Sequence, residues 1–194
     1  MTPLVSLHTA LFARLERADW ILPTLARFLF AAILLSYYWA SGLTKLGDGL
    51  LGVFRPSMGA YAQIFPRAME AAGYDTSQLT VFHWAVVTAG TWAEFLLPLL
   101  IVTGLLTRLA ALGMTGFVVV QSLTDLYGHG AIEEAATLGS WFDKAPDAAI
   151  LDQRALWVFL LLVLVVKGAG PLSLDRLLAA RRPAFLARAR ASEM

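Results

Sequence analysis

Residues 28–44 read FLFAAILLSYYWASGLT, with no charge between Arg27 and Lys45. At ~1.5 Å per residue a helix of this length covers about 26 Å, close to a bilayer's hydrocarbon core once the flanking cations reach outward. The stretch predicts a transmembrane helix over 25–46. Composition points the same way. Of 194 residues, 58% are hydrophobic and 15% charged, against about 25% charged in ordinary soluble domains. A soluble fold of this size has too little interior to hide that much apolar surface, so the lipid bilayer is the expected partner.

Three further apolar segments follow, over 81–106, 109–126 and 154–170. The link Gly104-Leu-Leu-Thr-Arg108 is short enough to make the second and third an antiparallel pair. The uncharged core of the fourth, ALWVFLLLVLVV, is too short to cross alone, which places Lys167 and Gly168 within the membrane's depth. Residues 1–22 carry Leu4, Leu7, Leu11 and Leu15 at helical spacing among charges, the pattern of a helix lying on the membrane surface. Residues 47–80 and the acidic 127–153 read as partly helical caps, and 171–194 as a basic amphipathic tail. The expected fold is all-α: a single integral membrane domain, a four-helix bundle with amphipathic interfacial helices.

Arg14, Arg17, Arg27, Arg108, Arg176, Arg181, Arg182, Arg188 and Arg190 fall on the termini and the short link, whereas Asp125, Glu133, Glu134, Asp143, Asp147 and Asp152 crowd the second cap. The positive-inside rule then puts both termini in the cytoplasm and the caps outside. A net charge of +1 argues against a nucleic-acid role, and the absence of Cys excludes thiolate chemistry and Cys-ligated metal centres within the chain. No phosphate-binding glycine loop, Ser/His/Asp order or zinc spacing is present.

Three motifs occur in order: Trp39-Ala-Ser-Gly42-Leu-Thr-Lys45-Leu46 at the end of the first helix, Glu94 through Gly104 and Arg108 across the second link, and Gly168-Ala-Gly170-Pro171-Leu-Ser173-Leu-Asp175 after the fourth. Together with Arg27 at the first helix, this order over about 25–176 resembles the DoxX family of small four-helix membrane proteins. The resemblance implies a bacterial inner-membrane protein. The family takes its name from a subunit of a thiosulfate:quinone oxidoreductase, and some members look like membrane parts of redox or stress-response complexes, including ones linked to metal handling. The wider group includes proteins similar to maturation factors.

Glu94 is the most informative single residue, because a carboxylate deep in a membrane helix must be paired, protonated or facing water. Helix rise puts it about 16 Å below His83 and at a depth compatible with Lys167. It is either a proton acceptor in quinone chemistry or half of a structural pair with Lys167, Lys45 or Arg27. Lys45, beside Gly42, either meets an anionic ligand or Asp125, or snorkels to the interface. Arg108 reads first as a topology anchor and second as an interhelical contact to a carboxylate. Tyr37, Tyr38, Trp39, Trp84 and Trp92 form either a quinone-stacking cluster or an aromatic belt. His83 and His129 fall near one face and are the candidate metal ligands, although no spacing signature supports haem or copper. Ser173 is positioned to cap the tail helix, with an anion site at that helix start as the weaker alternative.

Three functions are compatible with these residues. The first is a membrane subunit of a quinone-linked oxidoreductase whose caps dock a periplasmic protein partner. The second is a non-catalytic scaffold or maturation factor for a periplasmic or metal-handling client. The third is a carrier for a small solute or metal, which would need a homo-oligomer to form a path.

Overall fold

The computed structural model describes residues 3–49 and 51–180. Every regular element among them is helical, and four helices are long and apolar enough to cross a membrane. The protein is a multi-pass all-α membrane protein. Helix α1 (Pro3–Arg17) precedes the first span, α2 (Ile21–Lys45). Two short cap helices, α3 (Met58–Ile64) and α4 (Pro66–Ala71), lead to the second span, α5 (Val81–Thr103). The third span, α6 (Thr107–Gly128), is followed by the short α7 (Ala135–Leu138) in the second cap. The fourth span is α8 (Ala149–Lys167), and α9 covers residues 174–180. The basic tail expected beyond residue 180 lies outside the described residues.

Successive spans run antiparallel, each packs against the next, and α8 closes the ring against α2. The bundle therefore has a terminal end, where α2 begins and α8 finishes, and a cap end. The apolar core fills the middle and terminal part: Phe30, Leu34 and Tyr38 of α2, Ile101 of α5, Met114 and Val118 of α6, and Leu161 and Leu164 of α8. A smaller cluster of Ala60, Tyr61, Met69 and Val87 seats the first cap on α5. Trp84 and Trp92 strengthen that seat by donating their indole N–H groups to the carbonyls of Phe54 and Val53. On α1 no residue is buried, and Leu4, Leu7, Leu11, Phe12 and Leu15 are all exposed.

The fourth span is shifted relative to its sequence-based boundaries. It starts at Ala149, before Arg154, and ends at Lys167 rather than Gly170. Arg154 is thereby drawn into the bundle, which apolar patterning alone does not anticipate because its carboxylate partner comes from another span. Lys167 does not reach Glu94. It sits at the terminal edge with its side chain partly exposed and bonds Asp19 at 2.9 Å. The axial shift is the reason: counting depth from Arg154 starts the helix too late.

The terminal end is fastened by the residues of the second and third motifs together with Arg27. The Arg27 guanidinium donates to the carbonyls of Ile101 and Val102, at the end of α5, and to those of Ala169 and Leu172 after α8. Asp175 accepts from the backbone N–H of Leu106 (2.8 Å) and Thr107 (3.0 Å), satisfying orphan donors at the start of α6. Between them lies Gly104 at φ +71°, where a Cβ would stand 2.5 Å from Ser173 Cβ and 2.9 Å from Arg27 Cζ. Only glycine suits both that backbone and that closeness. Burial raises the Asp175 carboxyl, but its backbone hydrogen bonds and the Arg27 charge outweigh this and hold it below the usual carboxylate value. The hydroxyl of Ser173 accepts from the Arg176 N–H at 3.2 Å, capping α9 as its position predicts.

Candidate functional site

Toward the cap end the spans part around a cavity of about 590 Å³. Small residues create the room: Ala89, Gly90 and Ala93 on α5 face Gly113 and Gly116 on α6. A Cβ at Gly116 would meet nothing within 4 Å. The volume lies within the range of small-molecule sites.

Two ion pairs line this space. Lys45 on α2 and Glu94 on α5 are each only 4% exposed. Lys45 Nζ donates to both carboxylate oxygens, at 2.9 and 3.0 Å, and to Ser41 Oγ at 2.6 Å. Ser41 in turn donates to Glu94 Oε1 at 3.1 Å. Ser41 and Lys45 are four residues apart on one helix, so they share a face and reach Glu94 together. Pro98 sits four residues beyond Glu94 and has no N–H to offer the Glu94 carbonyl, which loosens α5 beside the pair. The second pair joins Arg154 of α8 to Asp125 of α6, and Arg154 Nη1 also donates to Ser122 Oγ at 3.2 Å. Both members belong to π-helical turns, Thr124–Gly128 and Ala149–Arg154. Such turns swing side chains away from the regular α-helical register and recur at functional sites.

Between the pairs, Gln121 Nε2 donates to Tyr37 Oη at 3.0 Å, which leaves the tyrosine's own hydrogen free to donate. Two buried polar atoms of lining residues, Gln121 Oε1 and Arg154 Nε, have no hydrogen-bond partner among the described residues. Buried polar groups are normally satisfied, so these two mark the wall where a polar group of a guest or a water would be held. Phe117 and Tyr37 supply aromatic faces to the same wall.

The sequence-predicted site residues divide into three sets. Glu94 and Lys45 come together in the cavity, and Lys45 is neither snorkelling nor bonded to Asp125. Arg27, Arg108 and Lys167 gather at the opposite, terminal end. Arg108 donates to the Val165 carbonyl at 3.0 Å, an interhelical contact through a backbone oxygen. The aromatic residues do not form one cluster. Tyr38 is buried in the core against Phe117 and Trp157, Trp39 donates to the Phe95 carbonyl, and Trp92 is committed to the cap. Gly42 serves close packing, since a Cβ there would lie 2.7 Å from the Phe95 ring. His83 spends Nδ1 on the Thr80 backbone in a capping box at the start of α5, and His129 Nε2 meets the Gln63 carbonyl at 2.9 Å. Among the described residues no three His, Cys, Asp or Glu side chains group to hold a metal. Sequence reasoning missed Ser41, Gln121 and the Asp125–Arg154 pair as one site. The spacing of Ser41 with Lys45, and of Gln121 with Asp125, each four residues apart, was the available signal.

A family model described as DoxX matches residues 22–124. The chain belongs to the DoxX family. The match takes in Arg27, Lys45, Glu94, Arg108 and Gln121, and it stops just short of Asp125. The Lys45–Glu94 half of the cavity thus lies in the matched part of this DoxX protein, whereas Arg154 and the clasp residues Gly168 to Asp175 lie beyond it. No curated protein and no solved structure gives a significant match to the chain.

Proposed function

We propose that this DoxX protein is the membrane subunit of a quinone-linked oxidoreductase of the bacterial inner membrane, and that the cavity receives the quinone ring. The observation that carries the reading is the buried Lys45–Glu94–Ser41 cluster facing a cavity of about 590 Å³. The fit rests on the lining. Phe117 and Tyr37 offer faces to a flat ring, the small residues of α5 and α6 give it room, and Tyr37 Oη and Arg154 Nε are donors for its carbonyl oxygens. A bound quinone would supply the capacity to take up electrons together with protons. Glu94 is the residue suited to hold or release a proton at its carboxylate, with Lys45 and Ser41 orienting both oxygens. The arginine distribution supports termini on the cytoplasmic side and caps in the periplasm.

The test is an oxidised-minus-reduced UV–visible spectrum of the detergent-purified protein, followed by solvent extraction. The reading expects a quinone difference band near one per chain. A featureless spectrum, with no binding of an added short-chain quinone, would sink it. The scaffold alternative has one observation in its favour. Phe142 is fully exposed and Trp141 is 62% exposed on the acidic cap, a surface suited to a protein client. Pull-down from membranes of a secreted or metal-handling client, without any redox partner, is the result that reading expects.

A further inference from the structure

A second hollow, of about 430 Å³, opens at the terminal end between the start of α6 and the end of α8. Arg108, Lys167 and Arg176 line it, with Asp175 as the carboxylate among its lining residues. Both Asp175 oxygens are already occupied by the N–H groups of Leu106 and Thr107, so they face α6 and not a guest. Asp19 meets Lys167 at the rim, but this pair is exposed on both sides and readily exchanged. Arg108 gives one N–H to Val165, and a guanidinium carries five. Gly168 keeps the space beside it open: a Cβ there would lie 3.2 Å from Arg108 Nε, at a φ of +82° that already favours glycine.

Position decides what anion belongs there. Thr107 opens one span and Lys167 ends another, so the hollow lies at the depth where hydrocarbon gives way to headgroups. Leu106 and Leu109, at its edge, are 55% and 66% exposed and offer an acyl chain an apolar shelf. The geometry points to a phosphate site for an anionic phospholipid, held by Arg108, Lys167 and Arg176 with its chains along the α6 face. Basic pockets between helix ends bind such headgroups in this way. The assignment is independent of the quinone reading, because the hollow is at the other end of the bundle.

Native mass spectrometry of the full chain in detergent, titrated with phosphatidylglycerol or phosphatidylcholine, tests it. Wild type is expected to retain phosphatidylglycerol preferentially. Lys167→Gln and Arg176→Gln should each weaken retention about fivefold, the effect of one interfacial cation, with little change in melting temperature. The double variant should lose the preference. Unchanged retention in the double variant overturns the site. So does loss that occurs only when Arg181, Arg182, Arg188 and Arg190 are replaced by Gln, which would make the tail the binder. Displacement of the lipid by an equal concentration of inorganic phosphate would make this a free-anion site and overturn the lipid assignment.

Discussion

Lys45 Nζ stands within 3.0 Å of both carboxylate oxygens of Glu94, joining α2 to α5 where both side chains are buried against the cavity wall. Removing one partner of such a pair strands the other charge, at a cost of about 3–5 kcal/mol. Lys45→Met should therefore lower the unfolding midpoint of the purified protein sharply. The combined Lys45→Met and Glu94→Leu variant should recover most of that loss. Single and double variants of equal stability would show that the pair does not hold the bundle.

Gly116 lines the cavity, and a side chain there meets no protein atom in its first step outward. Gly116→Leu should fill the space while strengthening the helix, since Gly costs about 1 kcal/mol relative to good helix formers. The expected outcome is an unchanged or raised melting temperature together with loss of quinone binding, read by quenching of the tryptophan fluorescence. Retained binding in a well-folded variant would move the ligand elsewhere.

Gly104→Ala should act in the opposite way. The position needs φ +71°, and an added Cβ collides with Ser173 and the Arg27 guanidinium. The substitution should destabilise by more than about 1 kcal/mol, measured as a fall in the unfolding midpoint. A melting temperature equal to wild type would mean that the terminal clasp is not tight.

Asp175 carries a pH prediction. Its folded-state carboxyl lies below the ordinary value of about 3.9, so it binds fewer protons folded than unfolded near that pH. Its contribution is present above the unfolded value and is lost as pH falls through the depressed folded one. Asp175→Asn should cost about 1–2 kcal/mol at neutral pH, the scale of a lost helix cap. Its stability should then fall less steeply than wild type below about pH 4. Parallel acid-unfolding curves for the two proteins would contradict the capping role.

The bundle was legible because transmembrane helices announce themselves through length and apolarity, which are local properties. The run 28–44, the short link around Gly104 and the order of motifs sufficed for four spans, their antiparallel arrangement and the family. Glu94 stood out for the same reason, as a charge in an apolar run. Its partner did not. Lys45, Lys167 and Arg27 were all reasonable by depth, and choosing among them needs the rotation and axial shift of α2, α5 and α8 against one another. Arg154 read as a boundary because a sequence shows where an apolar run starts but not that Asp125 waits on another helix. The aromatic residues near the cap face were open to both a stacking cluster and a belt, and helical rotation decides against the cluster by sending Tyr38 into the core and Trp39 and Trp92 to backbone carbonyls.

The chain by itself therefore determined the solvent it folds in, the number of its membrane spans and the family to which it belongs, since these depend on hydrophobicity summed along one segment at a time. Only the tertiary structure decided which charges neutralise each other, where the cavity opens and why Arg27, Gly104 and Asp175 belong to a single clasp. Those are relations between surfaces of different helices, set by packing at contact distance, and no periodicity within one helix encodes them.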